Sequence, residues 1–215
     1  MKKKSLFFIF FVLMALSTAS AQTLVQMDSA GWALKKFYVQ LHVDSLWTPG
    51  HHVKWETGTP DQPQATQDIA THCSAFVAAA CLQRNIYILR PPEHDTELLA
   101  NAQYDWLLGS TAAQYGWVQL LKNPLVQAQC LADSGFVVVA VCKNPDARRS
   151  GHIALVMPAV MCVDSLWASG PTLIMAGRTN TDSISTRGGF GKHLKTWPPT
   201  ASEIRFFYYD KRRKP

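Results

Sequence analysis

The chain is poor in the patterns that mark several large classes of protein. It has no C-x-x-C pair and no His-Glu-x-x-His, and the adjacent His51-His52 has no second pair of ligands at helical spacing, so a zinc site is not indicated. It has no low-complexity tract and no 20–50-residue repeat, which removes solenoids and propellers. Only 17% of its residues are charged and 47% are hydrophobic, with Gly and Pro at 12 each among 215 residues. That is the composition of an ordinary globular protein, and the length suits one domain with a core of its own.

The first residues read as a targeting segment. Met1-Lys2-Lys3-Lys4 is basic, Leu6 to Leu16 is an almost unbroken apolar run, and Ala19-Ser20-Ala21 is a small-x-small cleavage pattern. The apolar run is too short to span a bilayer, and no other stretch is long enough, so residues 1–21 are expected to be a signal peptide cut before Gln22. Their removal takes three Lys and no acid from 21 basic and 15 acidic residues, leaving 18 against 15, a balance of +3. So mild a charge gives no reason to expect a nucleic-acid partner, and the terminal run Lys211-Arg212-Arg213-Lys214 reads as solvated. Residues 22–215 form the expected domain.

Cysteine is present in an odd number. Cys73, Cys81, Cys130, Cys142 and Cys162 cannot all pair within an exported chain, so at least one thiol needs another explanation.

Periodicity assigns helices to the first half. Ala30, Leu34, Phe37 and Leu41 form a stripe that predicts a helix over about 24–43. Trp47 to Gln67, with Pro49, Gly50, Gly58, Pro60 and Pro63, reads as a long loop. A second helix begins near Thr71 or His72 and carries Phe76, Val77, Ala80 and Cys81; a third, capped by Asp95 or Thr96, runs through Trp106 to Gly109. After Gly135 the runs Phe136–Cys142, His152–Met157, Thr172–Met175 and Glu203–Tyr209 read as strands, with connections too short for helical crossovers. The expectation is an α+β fold, with the helices on one side of a small antiparallel sheet.

Within that outline, Cys73 stands in the first turn of the second helix, where free N–H groups and the positive end of the macrodipole favour a thiolate. Cys81, deep in the alanine-rich part of the same helix, reads as a small buried hydrophobe. A thiolate nucleophile needs a base, and His152, following Ser150-Gly151 and opening a strand, is the best placed of the histidines. The backbone N–H groups of Cys73 and Ser74 then offer an oxyanion hole. Trp47, Trp55, Trp106 and Trp117 flank this region; Trp55 and Trp106 are the candidate substrate-binding residues. Gly188-Gly189-Phe190-Gly191-Lys192 has the composition of a phosphate loop but neither its spacing nor its setting.

Cys73-Ser74-x-Phe76-Val77 opening an apolar helix, followed by Gly151-His152-Ile153-Ala154-Leu155-Val156, resembles the NlpC-type and CHAP-type cell-wall hydrolases, papain-like enzymes of the bacterial envelope. The resemblance covers roughly residues 50–180, and Trp55-Glu56-Thr57-Gly58 resembles their segment before the nucleophile helix. Where members often have Asp before the Cys and Gly two residues after it, this chain has His72 and Ala75. The resemblance implies a papain-like fold with Cys73 as nucleophile and His152 as base. A polar residue after the next strand would orient the imidazole; Asn180 matches that place, with Thr179 and Ser183 as alternatives, while Arg178 has no acceptor to offer. It further implies a secreted, periplasmic or extracellular hydrolase that cleaves amide bonds of peptidoglycan stem peptides without metal or organic cofactor. The rival readings are an acyl-transferring or deamidating enzyme on the same residues, and a non-catalytic envelope-binding module of the same fold.

Overall fold

Two β-branched runs set the centre of the molecule. Val138–Cys142 and His152–Val156 pair antiparallel, Val141 opposite Ile153 and Cys142 opposite His152, and every residue of both is buried. Strands buried on both faces lose the polar alternation of an exposed sheet, and these two do so because helices cover both sides.

The computed structural model describes residues 24–65 and 71–213. The elements in chain order are β1 (Leu24–Val25), α1 (Ser29–Val39), β2 (His51–Val53), β3 (Pro60–Ala65), α2 (Cys73–Gln83), α3 (Leu99–Leu108), α4 (Ser110–Gln114), β4 (Trp117–Gln119), α5 (Pro124–Asp133), β5 (Val138–Cys142), β6 (His152–Val156), β7 (Met161–Cys162), α6 (Val163–Ser169), β8 (Thr172–Met175), β9 (Thr181–Ser185), α7 (Thr186–Gly189) and β10 (Arg205–Tyr209). The signal-peptide expectation for residues 1–21, the end of the expected loop at 66–67 and Lys214 lie outside the described residues. Among those described, no helix is long and apolar enough to cross a membrane.

The fold is α+β. Six strands form one antiparallel sheet in the order β4-β10-β5-β6-β8-β9, with β1–β7 and β2–β3 as separate two-stranded pairs. The run β5-β6-β8-β9 is a meander, but β10 returns from the chain's end to lie between β4 and β5.

The helices do not sit on one side. Val139, Val141, Ile153, Leu155 and Ile174 face a core shared with α2, whereas Val138, Ala140, Ala154, Val156 and Leu173 face a second core with Leu125, Ala128 and Ala132 of α5 and with Phe190. The chain therefore buries its sheet between two layers. The helix α5 was not expected, and it is what covers the second face.

Other boundaries differ for local reasons. α1 is shorter than 24–43: the Asp28 carboxylate accepts from the Gly31 N–H and caps it, while Leu24–Val25 pair with β7. The expected loop after Trp47 contains the hairpin β2–β3. Trp47 is buried beneath it, its indole donating to the Trp55 carbonyl (3.1 Å), and the ring lies so close to Gly58 that a Cβ there would fall 2.3 Å away. Gly58 also has φ +71°, so both space and backbone require glycine.

Candidate functional site

α2 positions Cys73. From Cys73 to Cys81 every residue of the helix is buried, and Ala75, Ala78, Ala79 and Ala80 let it lie close between sheet and neighbours. Phe76 packs edge-on against Trp47 at 5.1 Å, and the carbonyl of Ser74 in the first turn accepts from Gln103 of α3 (3.3 Å). The helix start is thus fixed on two sides. His72 precedes it without capping it; the His72 Nε2–H donates to the His51 carbonyl (2.8 Å), and burial holds its pKa below the ordinary imidazole value.

The Cys73 sulfur reaches the opening of β6. Burial pushes its thiol above the ordinary pKa and outweighs the nearby backbone N–H groups of Ile153, Ser74 and Cys73 itself, which favour the thiolate. The expected oxyanion donors, the amides of Cys73 and Ser74, are among the groups that favour the thiolate.

His152 is delivered by the β5–β6 loop, and Asn101 of α3 holds that loop. Its side-chain oxygen accepts from the Asn144 N–H (3.0 Å) and Gly151 N–H (2.9 Å), and its amide donates to the Arg149 carbonyl (2.9 Å). Gly151 has no room for a side chain, since a Cβ would lie 2.2 Å from the Cys142 carbonyl oxygen.

The imidazole leaves β6 toward the second face, on the parity of Ala154 and Val156, whereas Cys73 belongs to the core on the first. The His152 Nε2 is 3.2 Å from the Met175 sulfur; the ring meets Phe190 edge-on at 4.8 Å and stacks on His193 at 5.9 Å. Burial, followed by the neighbouring His193, lowers its pKa to about 3. Both candidate groups are therefore neutral near pH 7, and no hydrogen bond joins them.

Asn180 does not orient His152. Its oxygen accepts from the Gly177 N–H (3.0 Å), and its amide donates to the carbonyls of Val43 (2.8 Å), Leu46 (2.8 Å) and Trp47 (3.2 Å). It staples the segment after α1 to the end of β8. Thr179 and Ser183 are exposed, and neither bonds the imidazole. The structure thus holds the three expected residues apart: Cys73 is buried in the core shared with α2, the imidazole packs under Phe190, and the Asn180 amide is spent on a loop.

The tryptophans also separate. Trp55 packs against the first core beside Trp47. Trp106 lies with Tyr87 and Tyr115 at the other end of α2, so the two do not frame one cleft. Trp117 is buried, its indole donating to the Tyr87 carbonyl (2.7 Å).

Sequence reasoning passed over Asn101, Met175, Phe190 and His193. The last two lie in or just after the glycine segment set aside as a phosphate loop, where a lone Phe among glycines signals burial. All five cysteines are free thiols; burial pushes Cys81 and Cys142 up to about 12. Among the described residues no cluster of three or more His, Cys, Asp or Glu converges as a metal would require. Neither a scan against protein-family models nor a search of curated protein sequences finds a match to the chain.

Proposed function

We propose that the protein is an exported, papain-like cysteine hydrolase acting on amide bonds of peptidoglycan stem peptides, with Cys73 as the nucleophile. The observation that carries this reading is the position of Cys73 as the first residue of α2, where the free backbone N–H groups of a helix start favour an anion against the cost of burial. Such a setting stabilises an anion once one forms. The basic, apolar, small-residue opening of the chain supports export, and export suits a wall substrate.

The described conformation is then a resting one. For turnover the opening of β6 twists, so that the imidazole leaves Met175 and Phe190 on the second face and reaches the sulfur on the first. His152 takes the thiol proton, the thiolate sulfur bonds to the amide carbonyl carbon, and the C–N bond breaks as the imidazolium protonates the leaving amine. Water, deprotonated by His152, releases the acyl group as a carboxylic acid and restores the thiol. The amides of Cys73 and Ser74 serve as donors to the carbonyl oxygen.

A second reading, a non-catalytic envelope-binding module, is favoured by the packing of His152 under Phe190 and by the use of Asn180 as a staple. Digestion of purified peptidoglycan followed by mass spectrometry separates them. The hydrolase releases soluble fragments with new amino and carboxyl termini, EDTA leaves it active, and Cys73→Ser abolishes release. New reducing ends without new amines, or no fragments from the wild type, overturns the proposal.

A further inference from the structure

The far end of α2, roughly 15 Å from Cys73 at 1.5 Å per residue, opens into a groove of about 590 Å³. Its walls include Leu82, Asn85, Tyr87, Arg90, Gln114 and Tyr115. The rings of Tyr87 and Tyr115 lie 4.5 Å apart at 31°, with Trp106 behind them at 5.6 and 6.0 Å, so the aromatic surface is continuous. Tyr115 is 40% exposed and Leu82 37%, unusual for large side chains so close together.

Polar groups stand around these rings unspent. The carboxamides of Asn85 and Gln114 are exposed and make no hydrogen bond among the described residues. Arg90 lies over the Tyr87 ring at 4.9 Å and donates to the Ile86 carbonyl (3.1 Å), but forms no ion pair with a carboxylate. Partial burial and the negative charge of Glu93 hold the Tyr87 hydroxyl above the ordinary phenol pKa, and that negative charge makes the groove a poor fit for a strong anion. The exposed ring of Tyr115 backed by a tilted aromatic cluster, an aliphatic contact at Leu82 and two free carboxamides match a ligand with C–H faces, hydroxyls and amide groups of its own.

We infer that this groove is a saccharide subsite that takes an N-acetylated amino sugar, its C–H face on Tyr115 and its acetamido group between Gln114 and Asn85. The inference does not depend on the chemistry at Cys73, because binding is measured without turnover.

The test is calorimetric titration of the whole protein with chitotetraose, with the fluorescence of Trp106 as a second signal. Cellotetraose, which has the same backbone without acetamido groups, and a wall disaccharide stripped of its peptide are the comparison arms. Saturable binding of chitotetraose, weakened about tenfold in Tyr115→Ala and retained in Tyr115→Phe, supports the subsite. Tighter binding of the wall disaccharide than of an equal length of chitin identifies the wall as the source; the reverse identifies chitin. Equal affinity for cellotetraose overturns acetamido recognition. Absence of binding at about 10 mM sugar, or unchanged affinity in Tyr115→Ala, overturns the subsite altogether. The exposed position of Tyr115 lets its variants keep the fold, which an unchanged thermal melt verifies.

Discussion

The two faces of the central sheet bury their reactive groups by different means. On the first, the Cys73 thiol sits at a helix start, where burial raises its pKa and nearby backbone N–H groups oppose the rise. On the second, the His152 imidazole is surrounded by a thioether, a phenyl edge and another imidazole, none of which stabilises a positive charge by ion pairing. Backbone donors prepare the first site for an anion. The second site is built for a neutral ring. The difference shows that adjacency along β6 does not create a catalytic pair; parity along the strand assigns each group its own surroundings, and charge separation between them is uphill until one side chain moves.

The largest expected effect comes from the turn that serves both faces. Gly151→Ala drives a Cβ into the Cys142 carbonyl and the Asn101 oxygen, and backbone cannot yield there as a side-chain tip would. We expect a loss of about 5 kcal/mol in urea unfolding, enough to unfold a domain of ordinary stability. A midpoint within experimental error of the wild type would show that the turn has another conformation.

Next is Phe190→Ala, which empties the fully buried ring against His152. Its cost should be about 3–5 kcal/mol, read by the same unfolding curve. The imidazole pKa should climb from about 3 toward its ordinary value in an NMR titration, because water then reaches the ring. An unmoved pKa would place the cause of the depression elsewhere.

The same depressed pKa gives a pH signature. Between about 3 and 6.5 the unfolded imidazole holds a proton that the folded one lacks, so raising the pH through this window favours the folded state. The stability of the wild type minus that of His152→Gln should grow by about 1.4 kcal/mol per pH unit across it and level off above. Asp133, raised to about 6 by burial, acts with the opposite sign below that pH, but it is common to both proteins and cancels in the difference. A flat difference would mean that His152 titrates normally.

Smallest is Asn180→Ala, which leaves the carbonyls of Val43, Leu46 and Trp47 without their shared donor. The cost should be about 1–3 kcal/mol of stability. An orienter of the imidazole would instead lower turnover and leave the melting curve in place.

Much of this architecture was legible in the residues. Thr172–Met175 is bounded as its β-branched run suggests, and the start of α2 at Cys73 follows the apolar stripe that begins there. α5 was equally legible but unread: Leu125, Ala128 and Ala132 have helical spacing behind a Pro at the first turn. β9 was hidden because it is a polar edge strand, Thr181–Ser185, without an alternating core face. The site was harder. Alternation by two separates His152 from Ile153, but only tertiary packing decides that Ile153 faces α2 and that Phe190 waits under His152. The amide of Asn180 likewise reaches carbonyls more than 130 residues earlier, a contact that no local pattern encodes.

That Cys73 and His152 rest as two neutral groups held apart is measured most directly by the pH dependence of Cys73 alkylation in the native protein, with adducts mapped by mass spectrometry from about pH 6 to 10. Exposed Cys130 should react ahead of Cys73, Cys73 should gain reactivity only above the ordinary thiol range, and His152→Ala should leave its profile unchanged. Rapid labelling of Cys73 near neutral pH that disappears in His152→Ala would reveal a standing thiolate–imidazolium pair and contradict that neutral resting state.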